Sequence, residues 1–331
     1  MAFMKYAAIV CSLISFLVVF LVTPIVIRYM KRIKLIVSDM NKENKPDVPI
    51  AGGLAVMCGV FVGLMTYVFI RTFFYHDSSS LLFLFAAIAS ILIISLVGFV
   101  DDLLVEKSGD GSWGGFKQWQ KPLLTLVAAI PLMVVNAGTT SVNFPFFGVI
   151  DFGLIYPLIL IPLGVVGAAN MVNLLAGFNG LETGLGIISI GMLGLYSYFN
   201  GTSISTVIAL VTFASLIAFY FYTRYPSKIL PGDSLTYLIG AVIVSVAVLG
   251  NIEKAAIIVS IPFLIEFVLK LRSKFKADSY GYYLNGKVKS KYSKIYSIPH
   301  IFTRSGRFTE KQVVYFIFLI ELFFASLIWF V

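Results

Sequence analysis

The sequence predicts an all-α polytopic membrane protein of about ten transmembrane helices, both termini outside, with a small β-hairpin in the last cytoplasmic loop. Three observations carry this. Mean hydropathy is +0.95, and 59% of the 331 residues are hydrophobic against 12% charged, where a soluble fold has about a quarter charged. Ten apolar runs begin near residues 6, 51, 80, 121, 152, 184, 204, 235, 254 and 311, each read as a span of a hydrocarbon core ~30 Å thick. Lys and Arg then separate by side. Residues 28–50 hold six, 101–121 three, 223–234 two and 270–311 eleven, together 22 of 25. With ten alternating helices these segments share one side, and the other keeps only Lys5, Arg71 and Lys254. By the positive-inside bias the basic side is cytoplasmic.

The first run, from about Tyr6 to Ile27, is too long for a signal-peptide core and lacks a small-residue cleavage site, so it reads as a retained helix. Cys11 and Cys58 lie within apolar runs and read as buried thiols. The whole chain, 1–331, is taken as one membrane domain with cytoplasmic loops at about 30–50, 101–120, 170–183, 223–234 and 272–310. Its formal charge of +9 describes a basic cytoplasmic face. Such a face sets topology and meets anionic lipid, or it docks an anionic substrate. No motif supports nucleic-acid binding.

The third helix ends in VGFVDDLL, residues 97–104. Adjacent carboxylates such as Asp101 and Asp102 repel unless a cation or proton lies between them; a solvated helix end is the competing reading. The loop SGDGSWGG follows, with glycines able to cradle phosphate but no Walker spacing. Lys121 opens the fourth helix in WQKPLLT, where a snorkelling anchor is the ordinary role; Trp113 and Trp119 read as interfacial anchors. Pro157 and Pro162 predict a kink in the fifth run, which membrane helices tolerate. Next comes NMVNLLAGFNGLETG, residues 170–184. Amides and a carboxylate are costly in hydrocarbon and usually line water, a ligand or an ion, so Asn170, Asn173, Asn179 and Glu182 are assigned to a cytoplasmic cleft, with Asp39 at the same face.

In YPSKILPGDSLTYLIG, residues 225–240, Pro231-Gly232 breaks the chain before Asp233. An aspartate there serves as a helix N-cap. Alternatively, with the Asn173 amide oxygen, it makes a partial site for a hard divalent cation completed by substrate phosphate. In the 272–310 segment, Asn285-Gly286 predicts a hairpin with a primed turn. His300 and Arg304 in SIPHIFTR suggest an anion contact, against a structural role for a lone histidine.

Together these stretches resemble the polyprenyl-phosphate N-acetylhexosamine-1-phosphate transferases, and most closely their archaeal and eukaryotic UDP-GlcNAc:dolichyl-phosphate GlcNAc-1-phosphotransferase branch. NMVNLLAGFNGLETG is the most specific motif; bacterial members usually carry an aspartate at the position of Ala176. GFVDDLL, QKPLLT, YPSKILPGDS and DMNKENKPDVPIAGG follow in family order. The resemblance implies an enzyme, a phosphotransferase moving a sugar-1-phosphate from a UDP-sugar, most readily UDP-GlcNAc, to a polyprenyl or dolichyl phosphate with release of UMP. It implies catalytic Asp101, Asp102 and Lys121, Mg²⁺ (or Mn²⁺) at Asn173 and Asp233, and substrate contacts from Asn170, Asn179, Glu182, His300 and Arg304. Three positions depart from the family pattern. Leu230 stands where an aromatic beside uracil is expected, Pro299 and Ile301 flank His300 in place of arginines, and PIAGG lacks an acidic residue. A homodimer is compatible with this reading, and the small loops favour an archaeal cell membrane over the endoplasmic reticulum. Two other classes compete. A secondary transporter would place charges near the bilayer midplane, and a membrane prenyltransferase would explain Asp101-Asp102 but neither the Asn-rich motif nor Asp233.

Overall fold

The computed structural model describes residues 2–107, 113–136, 138–144 and 148–330. Its helices are α1 (Ala2–Arg32), α2 (Gly53–Phe74), α3 (Leu81–Leu103), α4 (Gln120–Leu126), α5 (Ile130–Val135), α6 (Ile161–Leu174), α7 (Leu181–Asn200), α8 (Ser203–Thr223), α9 (Asp233–Gly250), α10 (Glu253–Val259), α11 (Ile261–Leu271), α12 (Ile298–Thr303) and α13 (Glu310–Ser326). Among the described residues, seven helices are long and apolar enough to cross a bilayer: those at Tyr6–Arg32, 53–74, 81–103, 156–174, 203–223, 233–250 and 310–330.

The sequence-based count of ten therefore divides into seven long spans and three runs of another kind. Gln120–Val135 is a shorter apolar helix, built from α4, a 3-10 turn and α5. α7 has 20 residues, but Glu182 in its first turn and its recurring glycines dilute its hydropathy. The run from 254 is broken at Ser260, where Pro262 near the start of α11 cannot donate a backbone hydrogen bond to the preceding turn. Of the prolines predicted to kink the chain, Pro157 lies in a π-helical turn at Tyr156–Leu160 and Pro162 in the first turn of α6.

The helix that positions the site is α9. It is apolar all round, as a helix enclosed by others must be, and 89% of it is buried. Its neighbours approach closely because glycines face it. A Cβ on Gly240 would lie 2.4 Å from the Ala169 backbone of α6, and one on Gly98 of α3 would lie 2.5 Å from the Asp233 carbonyl. The N-terminal end of α9 is thereby held between α3 and α6.

Among the described residues, four small antiparallel strand pairs decorate the bundle: Ile36–Ser38 with Asp47–Pro49, Glu106–Lys107 with Trp113–Gly114, Ser141–Phe144 with Gly148–Asp151, and Tyr282–Leu284 with Lys287–Lys289. The last is the hairpin read from the sequence. Asn285 and Gly286 both have positive φ, 47° and 82°, as a primed turn requires. The first pair docks against the 230–231 turn through Leu230 N–H to Pro49 C=O (2.8 Å) and Gly52 N–H to Leu230 C=O (3.0 Å).

Candidate active site

The two adjacent aspartates of α3 do different things. Asp102 turns toward the start of α9 and accepts from the backbone N–H of Asp233 (2.7 Å) and of Ser234 (3.2 Å). These amides have no acceptor within their own helix, so Asp102 caps α9 from a neighbouring helix. The approach demands glycine before Asp233. Gly232 has φ +74°, and a Cβ there would lie 2.3 Å from an Asp102 carboxylate oxygen. Asp233 is consequently the first residue of the helix, and Gly232 takes the N-cap position.

Asp101 points the other way. It accepts from Phe116 N–H at 2.5 Å, and its Oδ2 lies 2.6 Å from Lys121 Nζ. The same ammonium lies 2.7 Å from Asp233 Oδ2, which also receives Asn173 Nδ2 at 2.9 Å. Lys121 thus stands between carboxylates from α3 and α9, and Asn173 adds an amide from the end of α6. Gly115 permits this: a Cβ there would lie 2.4 Å from Asp101 Oδ1. The preceding stretch of the glycine-rich loop, residues 108–112, lies outside the described residues.

A second polar cluster faces the first. Asn179 donates through Nδ2 to Asp39 (2.9 Å), accepts Ser227 N–H at Oδ1 (2.9 Å), and donates its own N–H to Glu310 (2.8 Å). Lys42 pairs with both Asp39 and Glu310. Glu182 receives Gly177 N–H at 2.8 Å, while its other oxygen is buried without a hydrogen-bond partner. Three segments far apart in sequence are thereby tied together.

Both clusters line one cavity of about 310 Å³, with Asp39, Asp101, Lys121, Asn173, Asn179, Glu182 and Asp233 in its wall. Asn170, His300 and Arg304 are outside that lining. Asn170 bonds to Val166 C=O (2.8 Å) and to Thr125 Oγ1 (3.3 Å), joining α6 to α4. His300 is fully buried, and both ring nitrogens are engaged. Tyr296 N–H reaches Nδ1 at 3.2 Å, so Nε2 carries the proton donated to Asp278 C=O at 2.9 Å. Burial holds its pKa below the usual histidine range, consistent with that neutral form. Glu266 supports the same loop by accepting Ser297 Oγ (2.6 Å) and Ile298 N–H (2.7 Å). Arg304 is exposed.

The sequence reading missed Tyr280, which lines the cavity with its ring 3.4 Å from where a Gly177 Cβ would stand. Lys291 Nζ sits 4.3 Å from the ring centroid. Leu230 lines the cavity too, so an aromatic wall comes from a different loop than the motif suggested. Only tertiary contact reveals it.

The cavity suits a hard cation in donor type. Its carboxylate and amide oxygens match what Mg²⁺ takes, and Mg²⁺ commonly uses one or two carboxylates plus substrate phosphate. No group of three or more His, Cys, Asp or Glu among the described residues is placed to hold a metal alone, so phosphate or water oxygens would complete any site. Asn173 would present Oδ1 by turning its amide, whose two ends are assigned from hydrogen bonding.

Residues 83–251 match the family model described as glycosyl transferase family 4. The chain is 34% identical over 320 residues to a putative UDP-N-acetylglucosamine–dolichyl-phosphate N-acetylglucosaminephosphotransferase of Saccharolobus solfataricus, covering 95% of this chain and 93% of the relative. It is 25% identical over 328 residues to the protein of that name, without "putative", from Dictyostelium discoideum (86% and 78% covered). It is 27% identical over 269 residues to a phospho-N-acetylmuramoyl-pentapeptide-transferase of Staphylococcus epidermidis (77% and 80% covered).

Proposed function

The chain belongs to glycosyl transferase family 4, and from that premise we propose that this integral membrane enzyme transfers a sugar-1-phosphate from a UDP-sugar to a polyprenyl or dolichyl phosphate, releasing UMP. N-acetylglucosamine-1-phosphate is the favoured group, in keeping with the names of its relatives. The observation that carries the reading is Lys121 held between Asp101 and Asp233 in one cavity; α6 also walls a separate groove among the membrane helices. That groove, about 360 Å³ and mostly apolar, runs between α6, α9 and the α10–α11 break. Met171, two residues from Asn173, lies in its wall, as do Tyr156 and Glu253 at the far end of the helices. It offers a path for a polyprenyl chain with its phosphate at the cavity. In this reading the cavity faces the cytoplasm, the side that basic loops mark.

In the proposed reaction an oxygen of the lipid phosphate attacks the sugar-linked phosphorus. The new P–O bond forms as the bridging P–O bond to the uridine-bearing phosphate breaks, and UMP departs with the bridging oxygen. Such transfers depend on positioning and charge stabilisation. Lys121 is placed to share the charge growing on UMP, and Asp101 orients that ammonium and stands ready to take a proton from the lipid phosphate. Bound at Asp233 and Asn173, Mg²⁺ would supply neutralisation of the diphosphate. Tyr280 would present its face to the base. The polar cluster at Asn179 would hold the cavity's wall, with the free oxygen of Glu182 turned toward the substrate.

The direct test is nucleotide release from purified protein given polyprenyl phosphate, Mg²⁺ and UDP-GlcNAc. UMP that depends on both lipid and metal is expected. UDP as product would mean the sugar moves without its phosphate and would refute the reading; parallel reactions with other UDP-N-acetylhexosamines identify the sugar. Two substitutions separate the substrates. Tyr280→Ala is expected to raise KM for the UDP-sugar roughly tenfold, the scale of lost base stacking, with KM for the lipid unchanged. Gly167→Phe fills the groove, where the nearest neighbour to an added Cβ is the Met171 methyl at 3.5 Å. It is expected to raise KM for the polyprenyl phosphate severalfold while leaving that for the UDP-sugar intact. The same change in both constants for either variant would count against the assignment of separate subsites.

A further inference from the structure

A second cleft, of about 430 Å³, lies where the end of α8 meets the start of α13. Asn179 lines both this cleft and the reaction cavity, so the two stand back to back with one residue as shared wall. Arg224, Lys228 and Lys311 line it with Tyr220, Tyr225 and Tyr315. Among the described residues no carboxylate pairs with any of the three cations within 4 Å. The nearby acids are already engaged, since Asp39 and Glu310 both pair with Lys42. The free cations rest on aromatic faces instead. Lys311 Nζ is 4.9 Å from the Tyr225 centroid and the Arg224 guanidinium 5.6 Å from that of Phe221. Three uncompensated positive charges around a concave, tyrosine-lined space select an anion.

The surroundings say which kind. Lys311, Tyr315 and Leu319 repeat every four residues and so share one face of α13; Tyr315 is 58% and Leu319 62% exposed. Farther along the same helices, α7, α8 and Leu322 of α13 line an apolar groove of about 620 Å³. Phe213 in its wall is roughly 16 Å from Arg224 at the helical rise. Glycines open the groove by letting α7 and α8 approach: a Cβ on Gly191 would lie 2.8 Å from the Phe213 ring. A basic cleft at one end of a helix pair and an apolar groove farther along it match an amphipathic molecule.

We propose that this cleft binds the phosphate headgroup of an anionic membrane phospholipid, with an acyl or isoprenoid chain of that lipid lying along the α7–α8 groove. The site is distinct from the reaction cavity and its lipid groove. The phosphate sits among Arg224, Lys228 and Lys311, and the tyrosines occupy the level of the membrane interface, where aromatic residues with polar tips collect.

The test is lipid retention by the full-length protein released from nanodiscs of equal phosphatidylglycerol and phosphatidylcholine, read by native mass spectrometry. The unsubstituted protein is expected to keep phosphatidylglycerol in preference. Arg224→Gln/Lys228→Gln/Lys311→Gln is expected to reduce that preference by roughly fivefold for each cation removed, and Lys311→Gln alone by one such step, with thermal midpoints unchanged. A control variant, Lys31→Gln/Lys34→Gln/Lys276→Gln, removes as much charge elsewhere and is expected to keep the preference. The proposal is overturned if the triple variant retains the original preference, or if the control loses it equally, which would make the effect bulk charge. Displacement of the lipid by millimolar inorganic phosphate would likewise overturn it, by assigning the cleft to a free anion.

Discussion

Asp233→Ala is expected to lower turnover roughly 10²- to 10³-fold at subsaturating Mg²⁺, the scale of removing one preorganised electrostatic contact at a phosphoryl or acyl centre. The expectation follows from what converges on that carboxylate: Lys121 at 2.7 Å and Asn173 at 2.9 Å. Without it Lys121 keeps Asp101 alone, and the proposed cation would lose its carboxylate on α9. Asn173→Ala removes a neutral oxygen and is expected to cost less, with the deficit of both variants narrowing as Mg²⁺ rises. Initial rates of UMP release across a Mg²⁺ titration provide the measurement. A loss of no more than a few-fold at low Mg²⁺ in either variant would sink the metal assignment and leave Lys121 as the principal positive charge.

The second large effect separates the neighbouring aspartates. Asp102→Ala leaves the Asp233 and Ser234 amides without their acceptor in a buried place, a loss of about 2–3 kcal/mol on the scale of caps and charge-assisted hydrogen bonds. The thermal midpoint in detergent should fall by several degrees, and activity should fall with it because Asp233 loses its fixed position. Asp101→Asn should behave oppositely. Its amide oxygen can still accept Phe116 N–H, so stability is kept while turnover drops by a factor on the order of 10². Thermal denaturation and UMP release on both variants decide between the roles. Equal losses of stability would show that Asp101 is as much a structural residue as Asp102.

Much of this arrangement was legible in the sequence because membrane insertion exaggerates its signals. A polar residue at the end of a long apolar run has few inexpensive places to go. Asp101, Asn173 and Asp233 could therefore be assigned to one face before any contact was known. The Asn285-Gly286 turn was legible for a local reason, since its positive φ values favour few residue types. The number of long spans was less so. Whether an apolar run forms one continuous helix depends on breaks such as that at Ser260–Pro262 and on diluting residues such as Glu182, which a hydropathy count passes over. His300 and Arg304 looked like a paired anion contact, but two hydrogen bonds within the same loop, from Tyr296 N–H and to Asp278 C=O, engage both ring nitrogens of the histidine.

By itself, then, the sequence determined the membrane character of the chain, its basic face, the resemblance of its motifs and the set of residues that gather at the helix ends. The membrane character, the basic face and the polar helix ends follow from composition and local spacing, and the cost of burying charge in hydrocarbon makes them nearly independent of packing; the resemblance rests on the motifs themselves. The tertiary structure alone decided which side chain faces which. Asp101 and Asp102 are chemically identical neighbours separated by ~100° around a helix, and only the approach of α9 through Gly98 and Gly232 makes one a helix cap and leaves the other facing Lys121. Tyr280, Asn179 and the cations of the second cleft acquire their places in the same way, from segments far apart in the sequence. Local sequence carries propensity and polarity, but the direction of a side chain in space is set by the backbone that packs against it.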